Sequence, residues 1–156
     1  MTLRSFYVLR HAKAGDREDW AGDDRKRPLT GKGRKQAEEL VSLFETFAIS
    51  AIFSSSYLRC VQTVEPLARK RRLAIKPSIS LEEGHGLRGL SRFLADRTLD
   101  GGVLSTHGDI VFELVEDLVG RGVIKAGDGG YAKGSTWVLG VDERGVPVRA
   151  RYLAAP

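Results

Sequence analysis

Apolar residues along this chain fall into two rhythms: short continuous runs, and longer stretches spaced by three and four. Residues 6–9 (Phe-Tyr-Val-Leu) form a run bounded by polar positions, which predicts a strand covered on both faces, as in the middle of a parallel sheet. Residues 50–56, with Ile52 and Phe53 at their centre, and residues 103–105 predict two more, and residues 73–78 predict an edge strand. Helical spacing appears between these runs. Ala37, Leu40, Val41 and Phe44 predict a first helix with Thr30 as its N-cap. Leu58, Val61 and Leu67 predict a second, which Pro66 kinks or ends early. Leu90, Phe93 and Leu94 predict a third, and residues 110–119 a fourth, stopped by Gly120 and Gly122. Residues 136–141 and 146–152 flank the turn Asp142-Glu143-Arg144-Gly145 and predict a β-hairpin. Strands alternating with helices, then a hairpin, predict an α/β fold with a mostly parallel sheet.

Composition narrows the classes. The 156 residues, with no repeat or Pro-rich linker, predict one domain over 1–156. No stretch approaches the roughly 18 consecutive apolar residues of a membrane span, and no secretory leader is evident. The lone cysteine, Cys60, cannot form an internal disulfide, which fits a reducing cytoplasm and a packing role. The net charge of +5 suggests anionic partners. The densest basic stretch, residues 68–76, contains no aromatic residue, so nucleic acid is not expected as the partner.

Charge then becomes specific at the strand ends. Open α/β sheets bind ligands at the carboxyl ends of their strands. The first run ends in Arg10-His11, the second leads through Ser54-Ser55-Ser56 to Arg59, and the last ends in Thr106-His107-Gly108. Convergence of these ends would build a dianion pocket, because guanidinium forks match a phosphoryl group bidentately. A neutral histidine there could attack phosphorus, with Glu82 or Glu83 as the proton donor. A zinc site from His11, His85, His107 and Cys60 lacks the close spacing of typical ligands, and no metal is expected. Residues 16–27 read either as a charged solvated loop or as a segment reaching over the pocket, with Trp20 packing in its middle. Trp137 reads as core.

The blocks LRHAKAG, RPLTGKGRKQAEEL, SSSYLRCVQT, LEEGHG and STHGD together resemble the histidine phosphatase superfamily, in its order and spacing. The short length and the RHAKA start look most like SixA-type phosphohistidine phosphatases. Several blocks are also similar to the phosphatase domain fused to some actinobacterial Nudix hydrolases. The resemblance implies a three-layer, phosphoglycerate mutase-like fold with helices on both sheet faces, and a cytoplasmic phosphohydrolase needing no metal or other cofactor. It implies His11 as the nucleophile, Arg10, Arg59 and His107 as the phosphate clamp, and Glu83 as the acid, with Glu82 its rival. Lys13, Glu82 and His85 are expected at the substrate rim. Ala12 stands where the wider family has glycine, which disfavours the mutases. The substrate could be a phosphoprotein, a nucleotide or a small phosphorylated metabolite; the alternative is a phosphate-binding module without turnover.

Overall fold

A computed structural model describes residues 2–156. Its layering follows from the alternation of side chains along the first strand, β1 (Arg4–Arg10). Phe6 and Val8 pack on one side with Leu90, Leu94, Ile110, Leu114 and Trp137. Tyr7 and Leu9 pack on the other with Leu40, Phe44, Val64 and Leu67. A strand covered on both faces therefore sits between two layers of helix. The first layer holds α3 (Gly86–Ala95) and α4 (Gly108–Gly120), and the second holds α1 (Gly31–Leu43) and α2 (Leu58–Arg71).

The remaining strands are β2 (Ala51–Ser54), β3 (Ile75–Pro77), β4 (Gly102–Thr106), β5 (Thr136–Val141) and β6 (Pro147–Leu153). Their order is β3-β2-β4-β1-β5-β6. The first four of that order run parallel, and the hairpin β5–β6 adds antiparallel on β1. β3 lies at the edge, as expected. Thr30 caps α1 by accepting the Gly33 N–H at 3.1 Å. Among the described residues no helix is long and apolar enough to cross a membrane.

Three helix expectations need correction. Helix α2 turns Arg59, Cys60, Thr63, Val64 and Leu67 inward, while Leu58 and Val61 are only partly covered. The apolar spacing misjudged the phase because the start of the inner face is polar, where it meets the strand ends. Pro66 does not end α2, which continues to Arg71. In α1, Val41 is likewise only partly covered.

Candidate active site

Three adjacent strands finish level with one another. Arg10 pairs with Thr106 across β1 and β4, and Ser54 with Ser105 across β2 and β4. The pairing continues one residue further: the His11 N–H donates to the Thr106 carbonyl at 3.0 Å, and the Ser55 N–H to Ser105 at 3.0 Å. This register gathers Arg10, His11, Ser55 and His107 at one end of the sheet. A cavity of about 550 Å³ opens there, lined by Arg10, His11, Arg17, Glu83, His107 and Tyr131 among others.

His11 is 6% exposed. Its Nδ1 lies 2.8 Å from the Ala12 carbonyl, which can only accept, so Nδ1 carries the proton. Nε2 therefore keeps its lone pair. Burial, with the Arg59, Arg10 and Lys133 charges, lowers the His11 pKa to about 3 despite the Ala12 bond. The ring is neutral at pH 7. The His107 ring lies edge-on to it, with centroids 5.7 Å apart. Burial, His11 and Arg59 lower the His107 pKa to about 2. Ser55 Oγ stands 2.8 Å from His107 Nε2 and accepts from the Tyr57 N–H at 3.3 Å. The network is satisfied when the serine hydroxyl donates to Nε2, leaving Nδ1–H to donate to Glu83 Oε1 at 3.3 Å. His107 thus presents a donor to the cavity.

Arg10 continues the side of β1 that faces α4. Its Nη1 donates to the Tyr131 carbonyl at 2.7 Å, while Nε is buried without a partner. The guanidinium rests on Gly108, the first residue of α4, where a methyl group would come within 2.5 Å of Cζ. Arg59, in the first turn of α2, is 1% exposed. It lies beneath two carboxylates: Nη2 donates to Glu83 Oε1 at 2.5 Å and to Asp24 Oδ2 at 3.2 Å, and Nη1 to the Asp24 carbonyl at 2.9 Å. Partial burial would raise the Asp24 pKa, but the Arg27, Arg59 and Arg17 guanidiniums together hold it below its ordinary value.

The two candidate acids part company. Glu83 lines the cavity and contacts Arg59, His107 and Arg17. Glu82 is buried, accepting from Ser56 Oγ at 2.5 Å and Arg25 Nη1 at 3.1 Å, outside the cavity lining. The other two residues expected at the rim do not line this cavity. Lys13 lines a neighbouring cavity, and His85 is the exposed N-cap of α3. Cys60 is fully buried, and burial pushes its thiol up to about 12, consistent with a packing role. Trp137 is core, and Trp20 stays 37% exposed, donating from Nε1 to the Asp23 carbonyl within its own loop.

The 16–27 segment does reach the site, through Arg17 on Glu83 and Asp24 on Arg59. Sequence reading missed three further groups. Thr63 accepts the Ala12 N–H at 2.9 Å and donates to the Arg59 carbonyl at 2.7 Å, so one hydroxyl holds both segments. Asp109 accepts the Gly84 N–H at 2.9 Å, and Thr106 Oγ1 donates to the Leu81 carbonyl at 2.6 Å, fixing the loop that carries Glu83. All three sit inside blocks of the sequence resemblance, Thr63 at the end of SSSYLRCVQT and Thr106 and Asp109 in STHGD, but nothing there signalled these contacts.

Guanidiniums and uncharged imidazoles at the strand ends of a three-layer sheet define a phosphate-handling α/β protein. The sequence profile of the histidine phosphatase superfamily (branch 1) matches residues 6–90, and the chain belongs to that superfamily. The chain is 35% identical over 98% of its length to an 8-oxo-(d)GTP phosphatase of Mycolicibacterium smegmatis, and spans about half of that relative (49%). Among solved structures it resembles a chain from Agrobacterium tumefaciens assigned as the phosphohistidine phosphatase SixA, with TM-score 0.77, 24% identity and coverage of 98% and 99% of the two chains. A phosphoglycerate mutase from Bacillus anthracis superposes with TM-score 0.68 at 14% identity, covering 99% and 93%. The fold is thus phosphoglycerate mutase-like, with helices on both sheet faces and a C-terminal hairpin.

Proposed function

We propose that this protein is a phosphohydrolase working through a phosphohistidine on His11, without a metal ion. One observation carries the reading: the bond from Nδ1–H to the Ala12 carbonyl leaves Nε2 of a neutral, buried imidazole free beside Arg10 and His107. Glu83, a carboxylate in its resting contact with Arg59, first takes the proton of a monoanionic phosphate ester as phosphate claims Arg59. Nε2 then forms a bond to phosphorus while the bond from phosphorus to the leaving oxygen breaks, and that oxygen takes the proton from the Glu83 carboxyl. Glu83, now a carboxylate, takes a proton from water, whose oxygen displaces the phosphoryl group from Nε2 as inorganic phosphate. Arg10, Arg59 and the His107 Nδ1–H hold the equatorial oxygens, supplying positive charge where it develops. Asp24 and Glu83 must yield the Arg59 donors as phosphate arrives.

Acid-labile ³²P labelling tests this. The wild-type protein takes label from a phosphorylated substrate and His11→Ala takes none; equal labelling of the two overturns the assignment, and no label on either identifies a binding module.

Two substrate readings have distinct support. Likeness to the SixA-assigned structure favours a phosphohistidine on a partner protein. Identity to the 8-oxo-(d)GTP phosphatase over nearly the whole chain favours a nucleotide. Rates on a phosphohistidine protein and on nucleotides, measured side by side, decide between them.

A further inference from the structure

Beside the catalytic cavity lies a second open cavity of about 470 Å³, and Lys133 lines both. Lys13, Lys32 and Lys35 line the second one as well, with Glu39 as its acidic side chain and the last residue, Pro156, also on its wall. None of the four lysines belongs to an ion pair among the described residues. The neighbouring Lys32 side chain lowers the pKa of Lys13.

The backbone enforces this crowding. Gly33 packs so closely on the Lys13 carbonyl that a side chain there would overlap it, and the Thr30 N–H donates to the same carbonyl at 3.0 Å. The start of α1, carrying Lys32 and Lys35, is therefore pinned against a residue two positions from His11. The start of a helix also favours anions through its dipole. Lys133 joins the two cavities electrostatically, since its charge is among those lowering the His11 pKa. Four cations facing one acidic side chain repel one another, and an anion relieves that repulsion.

We propose that this lysine cluster is a second anion subsite, and that the protein acts on phosphoanhydrides, whose inner phosphate rests on the lysines while His11 attacks the terminal one. The inference rests on the phosphatase reading above. The bond broken is the bridging bond from the terminal phosphorus to oxygen. The terminal phosphoryl passes to His11 and then to water, and the phosphate left behind takes the proton from Glu83.

Methylenediphosphonate and methylphosphonate separate the two sites, because neither can be turned over and only the first spans both. Calorimetry gives their Kd values on the wild type, on Lys32→Ala/Lys35→Ala, and on Arg92→Ala/Arg97→Ala, a control of equal charge carrying its changes on and just beyond α3. The Lys32/Lys35 variant should bind the diphosphonate about tenfold more weakly, the worth of one charge-assisted contact. Its methylphosphonate Kd should move less than about twofold, as should both values on the control. Equal losses for the two probes, no loss, or the same loss on the control overturns the subsite. Selective binding in a protein that hydrolyses no phosphate compound overturns the phosphatase reading and leaves the subsite standing.

Discussion

Gly108→Ala offers the most discriminating test of the clamp, because it should leave the fold alone and damage the site. An added Cβ would lie 2.5 Å from Arg10 Cζ, 2.6 Å from Nη2 and 2.7 Å from Nε, distances no packed methyl tolerates. The obstacle is the far end of a side chain, so the guanidinium swings aside and the backbone stays in place. Removing a glycine stabilises a chain by about 0.4–1 kcal/mol through the unfolded state. The Arg10 bond to the Tyr131 carbonyl is solvent-exposed, and losing it costs about 1.5 kcal/mol, the low end for a charged donor. The two largely offset each other, and Tm should shift by less than about 4 °C.

Catalysis has no such compensation. A displaced Arg10 forfeits a charge-assisted bond to the transferring phosphoryl group, worth about 1.5–3 kcal/mol. At 1.36 kcal/mol per decade this lowers kcat/KM by about 10- to 150-fold. Hydrolysis of para-nitrophenyl phosphate, alongside a thermal melt, reads both quantities. If the methyl acts only through Arg10, then Arg10→Ala/Gly108→Ala should be no worse than Arg10→Ala alone. A folded Gly108→Ala protein with kcat/KM within about threefold of wild type would refute the placement of Arg10 in the clamp.

Further outcomes follow from other contacts. Glu83→Gln should slow alkyl phosphates at least about tenfold more than para-nitrophenyl phosphate, whose leaving group needs no proton; a uniform loss argues against an acid role. Gly33→Ala places a methyl 1.9 Å from the Lys13 carbonyl oxygen, which is backbone and cannot swing away, so urea unfolding should show a loss of about 1–3 kcal/mol. Stability should fall as pH drops below about 6.5. There the unfolded histidines bind protons while His11, with its pKa lowered to about 3, and His107, lowered to about 2, do not. With both contributing, the slope approaches about 2.7 kcal/mol per pH unit; His11→Phe should lose about half of it, and an unchanged slope would contradict a neutral His11.

The strands were legible because central parallel strands need apolar side chains on both faces, which is why residues 6–9 and 103–105 stood out. The hairpin was legible from its turn chemistry: Gly145 takes a positive φ of 82°, and the Asp142 carboxylate accepts the Val146 N–H at 3.0 Å. Helix α2 was misphased because Arg59 and Thr63 lie inward, and a buried polar residue sends no hydrophobic signal. Of the proposed clamp, Arg10 and His107 showed through their positions at strand ends, and Arg59 through the serine run that leads to it from β2. The choice between Glu82 and Glu83 did not, since it turns on which carboxylate Ser56 and Arg25 capture. The reach of Asp24 to Arg59, across 35 residues of chain, left no local pattern either.

That long-range contact explains how the protein can bury Arg59 at all. A guanidinium at 1% exposure has lost its water and needs counter-charge, or it would destabilise the fold by several kcal/mol. Asp24 and Glu83 supply it from two loops, and both loops are anchored elsewhere: Asp24 by Arg27, and the Glu83 loop by Asp109 and Thr106. The same arrangement suits turnover. A phosphate dianion offers Arg59 more acceptor oxygens than one carboxylate does, so it can take those donors without leaving the arginine unpaired. In the proposed mechanism Glu83, released from Arg59, is then free to take a proton and serve the leaving oxygen. One ion pair thereby stabilises the resting fold and holds the proposed proton donor beside the reaction it is to serve.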